Sequence, residues 1–173
     1  ARGFAFIELC RKRYDVIVMN PPFGALSIGS KDYIFGNYPA TKMDLAAVFV
    51  ERMLSLSHTK GMVGSISTRS IFFRGTFKKW REQDLFESRF LSSFCDLGSG
   101  VLDAMVETAA YLISNTLSLN LTRAYRLTKF ENKEKELKDL LQKNVDPNIY
   151  DVQLTKLKAI TNYPFAYWVD EKS

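Results

Sequence analysis

Tyr14-Asp15-Val16-Ile17-Val18-Met19-Asn20-Pro21-Pro22-Phe23 is the stretch on which the fold turns. Its first six residues form a short β-branched run with apolar side chains on both parities. That is the pattern of a strand buried on both faces, as in a parallel sheet covered by helices. Charged residues precede the run, and Asn20-Pro21-Pro22 stops it. Beyond it, residues 24–39 read as a polar, glycine-bearing loop. Thr41 with Asp44 three residues on is a variant capping box. Leu45, Phe49, Met53 and Leu56 follow at helical spacing and predict a helix of about four turns with one face on the sheet.

The alternation continues. Residues 62–67, released by Gly61, predict a second strand, and residues 77–90 an amphipathic helix anchored by Trp80, Leu85 and Phe86. Residues 90–97 predict a third strand ending at Gly98-Ser99-Gly100. A fourth, residues 108–114, follows with no room for a helix between. Strand, helix, strand, helix, strand and a hairpin-like pair predict the C-terminal part of a doubly wound α/β sheet, with an antiparallel strand pair at its edge. Past residue 128 the character changes. Residues 130–144 predict a charged helix with Leu137, Leu140 and Leu141 on one face, and residues 154–160 another short helix. Asn162-Tyr163-Pro164-Phe165-Ala166-Tyr167-Trp168 is an aromatic-rich exit.

At 173 residues, with 46% hydrophobic and 25% charged side chains, the chain has the proportions of one globular domain with a real core. A disordered tail, a collagen-like repeat and a disulfide scaffold are excluded. No apolar stretch approaches the roughly 20 residues of a membrane helix, so no membrane partner is expected. Cys10 and Cys95 lie far apart and outside any CxxC spacing, which predicts reduced thiols in a cytoplasmic protein. No spacing of Cys, His or carboxylates suggests a metal. The start at Ala1-Arg2-Gly3-Phe4, without an initiator Met, reads as a piece of something longer.

Charge is uneven. Residues 1–80 hold 12 Lys and Arg against 5 Asp and Glu, whereas residues 81–173 hold 12 against 14. A basic first half with interleaved aromatics fits an anionic partner, nucleic acid foremost, and it fits equally a surplus of solubilising lysines.

The chemistry sits in Asn20, Pro21, Pro22 and Phe23. In an open α/β sheet, ligands bind at the carboxyl ends of strands. Methyl transfer to an exocyclic amine suits these four residues. The lone pair of such an amine is delocalised into the ring, and two acceptors aimed at its N–H bonds favour a pyramidal nitrogen that frees it. The Asn20 side-chain oxygen and the Pro21 carbonyl can supply both acceptors, on a backbone that two prolines keep rigid. Phe23 offers a flat face for an extruded base, a contact worth about 1–3 kcal/mol.

At these residues the sequence resembles the N6-adenine DNA methyltransferases, whose catalytic motif is Asn-Pro-Pro-aromatic. The resemblance extends to residues 61–73, to Asp96-Leu97-Gly98-Ser99-Gly100-Val101-Leu102 with Val106-Glu107-Thr108-Ala109-Ala110-Tyr111, and to Phe165-Ala166-Tyr167-Trp168. Together these look most like the PglX-type methylases of BREX phage-defence systems, with restriction–modification methylases second. The resemblance implies part of a Rossmann-like methyltransferase sheet, with residues 1–128 as a partial catalytic domain and 129–173 as a helical, aromatic extension. It implies transfer of a methyl group from S-adenosylmethionine to adenine N6 in double-stranded DNA, and defence or restriction subunits as partners. The cofactor loops of such enzymes precede the Asn-Pro-Pro strand, so they are expected upstream of Ala1. The fragment is then expected to be inactive alone, to leave a sheet edge uncovered, and to self-associate.

Other readings stand beside this one. Asp96-Leu97-Gly98-Ser99-Gly100 could be a cofactor loop in a permuted order, although such a loop should open a helix and the residues after it look β-like. Related methylases place a phenylalanine near Leu102 to stack on the flipped base, which leaves Phe23 as the expected platform. Protein glutamine N5-methyltransferases share the motif, and a non-catalytic DNA-binding or folding role is the third alternative. Arg69, Arg74, Lys78 and Lys79 flank the carboxyl end of the second strand and are candidates for phosphate contact or for a solvated helix start. His58 is expected at a helix end, and Asp44 in a structural capping role.

Overall fold

The computed structural model describes residues 2–101, 106–118 and 120–169. Six strands form one mixed sheet in the order β1-β2-β4-β3-β5-β6. They are β1 (Tyr14–Met19), β2 (Ser57–Thr68), β3 (Phe90–Gly98), β4 (Thr108–Ser114), β5 (Thr122–Arg126) and β6 (Ile149–Val152). β1 runs parallel to β2, and β3 parallel to β5, while β4 is antiparallel to both β2 and β3 and β6 is antiparallel to β5. The carboxyl ends of β1, β2, β3 and β5 therefore share one edge. The helices are α1 (Arg2–Arg11), α2 (Lys31–Asn37), α3 (Leu45–Leu56), α4 (Ser70–Phe73), α5 (Lys78–Trp80, continuing as a π-helical turn over Arg81–Phe86), α6 (Lys133–Leu141) and α7 (Leu154–Leu157).

The expected pair of residues 90–97 and 108–114 forms, but not at the edge. β4 lies between β2 and β3, because β5 and β6 carry the sheet on past β3. These two short strands were not legible in the sequence, and β6 supplies the antiparallel edge strand instead. The residues past 128 thus contribute to the same sheet.

One face of the sheet carries the main core. Ile17, Met19, Val63, Leu91, Phe94, Tyr111 and Ile113 meet Ala47, Val50 and Leu54 of α3, Phe72 of α4, Trp80 of α5, and Phe165 and Tyr167 of the C-terminal segment. On the opposite face, Cys95, Leu97, Tyr125 and Leu127 pack against Leu137 and Leu140 of α6. Toward β1 that second face is open: Val16 is 66% and Val18 80% exposed, with Met62 and Leu112 also exposed beside them. The expectation that β1 is buried on both faces is therefore corrected. β1 is an edge strand, and its Val16 and Val18 side chains meet no packed layer.

Several local expectations also shift. Part of the expected loop at 24–39 coils into α2. The cap of α3 is Asp44, which accepts from the Ala47 N–H at 3.2 Å, while the Thr41 hydroxyl donates to Glu51 at 2.5 Å. α3 buries Ala46, Ala47, Val48, Val50 and Leu54 and leaves Phe49 exposed, because a helix lying close on a sheet presents its small residues there. The expected helix at 77–90 ends at Phe86 and is partly π-helical, although Trp80, Leu85 and Phe86 are buried as anticipated. His58 begins a strand instead of ending a helix. The helix expected at 130–144 is confined to α6, where Leu140 is buried and Leu141 exposed.

Candidate nucleotide-binding edge

β1 delivers Asn20 to the carboxyl edge of the sheet, where Asn20 is exposed, Pro21 buried and Phe23 half-buried. Gly24 then takes φ +129°, a conformation that suits glycine and turns the chain away. Asn20 also lies on the rim of an apolar depression on the open sheet face, lined by Val18, Gly64, Ala110 and Leu112. The four motif residues thus stand together where a strand hands over to a loop.

The same edge holds a cleft of about 550 Å³ at the end of β2, lined by Asp44, Thr68, Arg69, Ser70, Phe73, Arg74, Val106, Glu107 and Trp168. Arg69 is the hub of its charges. Its guanidinium lies 3.1 Å from Asp96 and 3.7 Å from Glu107, and 4.7 Å above the Phe73 ring. Asp96, at the end of β3, is buried and also accepts a 2.7 Å hydrogen bond from the Tyr167 hydroxyl. Burial raises the Asp96 carboxyl above the ordinary carboxylate range, against the opposing pull of Tyr167 and Arg69. Burial and the Asp96 charge push the Tyr167 hydroxyl far up as well, so it remains a donor.

A second cation holds the C-terminal segment in place. Arg81 is wholly buried and donates to three backbone carbonyls, Tyr163 at 2.6 Å, Ile71 at 2.6 Å and Asn162 at 2.8 Å. Burial pulls its guanidinium down to about 10, which leaves it charged at neutral pH. The segment it grips carries Asn162 and Tyr163 at φ 70° and 49°, two consecutive left-handed residues, neither of them glycine. Phe165 N–H donates to the Phe72 carbonyl at 2.8 Å, which ties the segment to α4.

Of the basic residues singled out in the sequence, Arg69 and Arg74 line the cleft, with Arg69 held by two carboxylates. Lys78 sits 5.0 Å over the Tyr163 ring, and Lys79 stands exposed. Asp44 combines its cap with a place in the cleft wall. Leu102 lies outside the described residues. Gly98 and Gly100 have φ +64° and +75° in the turn after β3, and the chain next enters antiparallel β4. No helix opens at the described end of that turn, which removes the support for a permuted cofactor loop. Asp96, Glu107, Tyr167, Trp168 and Arg81 were not singled out as site residues. Only the aromatic spelling of residues 165–168 signalled them.

The profile of the Eco57I restriction-modification methylase family matches residues 2–101. The chain is 28% identical over 171 residues to the adenine-specific methyltransferase PglX of Lacticaseibacillus casei (strain Zhang), an overlap of 92% of this chain and 14% of that protein. It is 26% identical over 165 residues to the adenine-specific methyltransferase BrxX of Escherichia coli O9:H4 (strain HS), covering 91% of this chain and 13% of BrxX. The chain therefore spans about one-seventh of the length of the curated relatives it matches. Among solved structures, a chain of a type I restriction–modification system superposes with a TM-score of 0.71 at 18% identity, over 96% of this chain and 39% of the other.

Proposed function

The chain belongs to the Eco57I restriction-modification methylase family, and from that premise we propose that the protein carrying it transfers a methyl group from S-adenosylmethionine to the N6 amino group of adenine in double-stranded DNA. The observation that carries this reading is the position of Asn20-Pro21-Pro22-Phe23, at the carboxyl end of a parallel strand with Asn20 exposed. The adenine-specific names of both curated relatives agree with it.

In this reading the target base leaves the stack and enters the edge of the sheet. The Asn20 oxygen accepts one N–H of its amino group and the Pro21 carbonyl the other. Each contact strengthens as the nitrogen gains positive charge, so the stabilisation belongs mainly to the transition state. Phe23 supports the base before and during the step. S-adenosylmethionine supplies the methyl group. Neither positive-φ glycine turn among the described residues, at Gly24 or at Gly98 and Gly100, leads directly into a helix of the length a cofactor cradle needs. The part played by these residues is accordingly on the acceptor side.

The catalytic part is assigned to residues 1–128, with 129–173 an extension bracing it. The setting is phage defence or restriction–modification in the cytoplasm, beside the partner subunits of such a system. The test is single-turnover methylation of duplex DNA by the full-length protein. Asn20→Ala is expected to lower the rate by about 10²–10³, as losing one oxyanion-hole donor does, while leaving the urea midpoint unchanged. Near-normal turnover in a folded Asn20→Ala protein, or methylation of a glutamine-bearing peptide in place of DNA, refutes the proposal.

A further inference from the structure

We propose that the cleft at the end of β2 holds an unstacked nucleotide of the DNA strand, its base on Trp168 and its phosphate on Arg74. The proposal rests on the DNA-methylating reading and assigns residues that reading does not use.

Trp168 differs from its neighbours. Phe165, Ala166 and Tyr167 are buried, whereas Trp168 is 42% exposed and faces the cleft. It is nonetheless held. Its ring lies 5.6 Å from Phe73 at a 32° tilt and meets Tyr167 edge-on at 4.9 Å. The Tyr167–Asp96 hydrogen bond and the Arg81 grip on Asn162 and Tyr163 fix the segment at both ends. Two successive left-handed residues persist only where the surroundings over-determine them, and such strain concentrates at ligand sites. A flat aromatic surface fixed in advance loses little entropy when a base stacks on it.

The charges of the wall select the ligand. Arg74 is exposed and has no ion-pair partner among the described residues, whereas Arg69 is occupied by Asp96 and Glu107. On the acidic side stand Glu107, 63% exposed, and Asp44, whose Oδ1 is engaged with Ala47 N–H and whose second oxygen is not. A bare anion would meet two carboxylates, and an apolar ligand would leave charged groups unsolvated. A nucleotide offers a phosphate for Arg74, a π-face for Trp168 and N–H donors for the carboxylates. The volume, about 550 Å³, is in the usual range for such ligands, about 300–1,000 Å³.

The experiment is tryptophan emission of the full-length protein titrated with a short single-stranded DNA oligonucleotide. Trp80 is buried, so Trp168 is the tryptophan of this chain that a bound base can quench. The Trp168→Phe difference isolates its signal and keeps a ring in place. Quenching that disappears in Trp168→Phe is expected, with an affinity loss of roughly 5- to 150-fold in Trp168→Ala. Arg74→Gln, at an exposed position that cannot unfold the chain, is expected to reduce the slope of log affinity against log salt by about one. Binding with equal quenching in wild type and Trp168→Phe, or an unchanged salt slope in Arg74→Gln, overturns the assignment. Absent methylation with intact quenching removes the catalytic reading and leaves the cleft. Normal methylation with Trp168→Ala binding DNA as tightly as wild type removes the cleft and leaves the catalytic reading.

Discussion

Replacing Arg81 by methionine tests how the C-terminal segment is held. The side chain is wholly buried with no carboxylate beside it, and each of its three bonds ends on a backbone carbonyl. A hydrogen bond from a charged donor contributes about 1.5–3 kcal/mol, so three contribute roughly 5–9 kcal/mol. Against this stands the cost of keeping the charge from water. The fall from 12.5 to about 10 corresponds to about 3 kcal/mol. Arg81→Met fills the space, removes that cost and strands three carbonyls, for a net loss of about 2–6 kcal/mol. Urea unfolding with a midpoint analysis measures it. A red shift of Trp168 emission before global unfolding is the expected companion, because residues 162 and 163 lose their clamp. Arg81→Lys should recover less than half the loss, since an ammonium lacks the planar fork that spans three acceptors. If Arg81→Met cost less than about 1 kcal/mol and left the emission unmoved, the clamp would be wrong and the segment would be held by its aromatic packing alone.

Phe23→Ala is expected to weaken extrusion of the target base by about 1–3 kcal/mol and to lower the methylation rate with it; a fluorescent base analogue at the target reads extrusion, and unchanged extrusion refutes the platform. For Asp96, a folded value raised above the unfolded 3.8 means that stability is fullest below the unfolded value and is lost as pH rises through the folded one. Asp96→Asn, which can still accept from Tyr167, should flatten that decline in urea midpoints measured from about pH 4 to neutrality; an unaltered pH slope counts against it. The exposed Val16 and Val18 on edge strand β1 predict self-association of the 173-residue chain. Val18→Lys should shift it toward monomer in light scattering, and a wild-type monomer at high concentration would contradict the expectation.

What the sequence disclosed was local. Tyr14–Met19 and Thr108–Ser114 were legible to the residue because β-branched runs there end at proline or at polar turns. The position of the motif at the end of β1 followed from the same boundary. The misreadings come from partners remote in sequence. Arg81 looks like one more polar residue on an amphipathic helix until the carbonyls of Asn162 and Tyr163 arrive. The working face of α3 was misjudged by size, since Phe49 and Met53 outweigh Ala46 and Ala47 in any hydrophobic count, yet the alanines allow the close approach. β5 and β6 are four- and five-residue strands with charges inside them, and only pairing makes them strands. The cleft joins groups from β2, β3 and residues 107 and 167–168, a combination with no signature in spacing.

β4 has a consequence for how the molecule yields. It carries both hydrogen-bonded ladders that join the β1–β2 pair to the β3–β5–β6 block among the described residues. The two blocks are coupled in series, through one strand of seven residues. On a nascent chain, β2 and β3 must remain apart, with a vacant slot between them, until residues 108–114 emerge and slide in. That late, long-range insertion is a natural slow step. Once β4 is seated, with Ala109 and Ile113 fully buried, its amides should be the last to exchange with solvent. Pulled from its slot, the sheet would come apart as two separately melting pieces, the Asn20 motif on one and Asp96, which tethers the Trp168 segment, on the other.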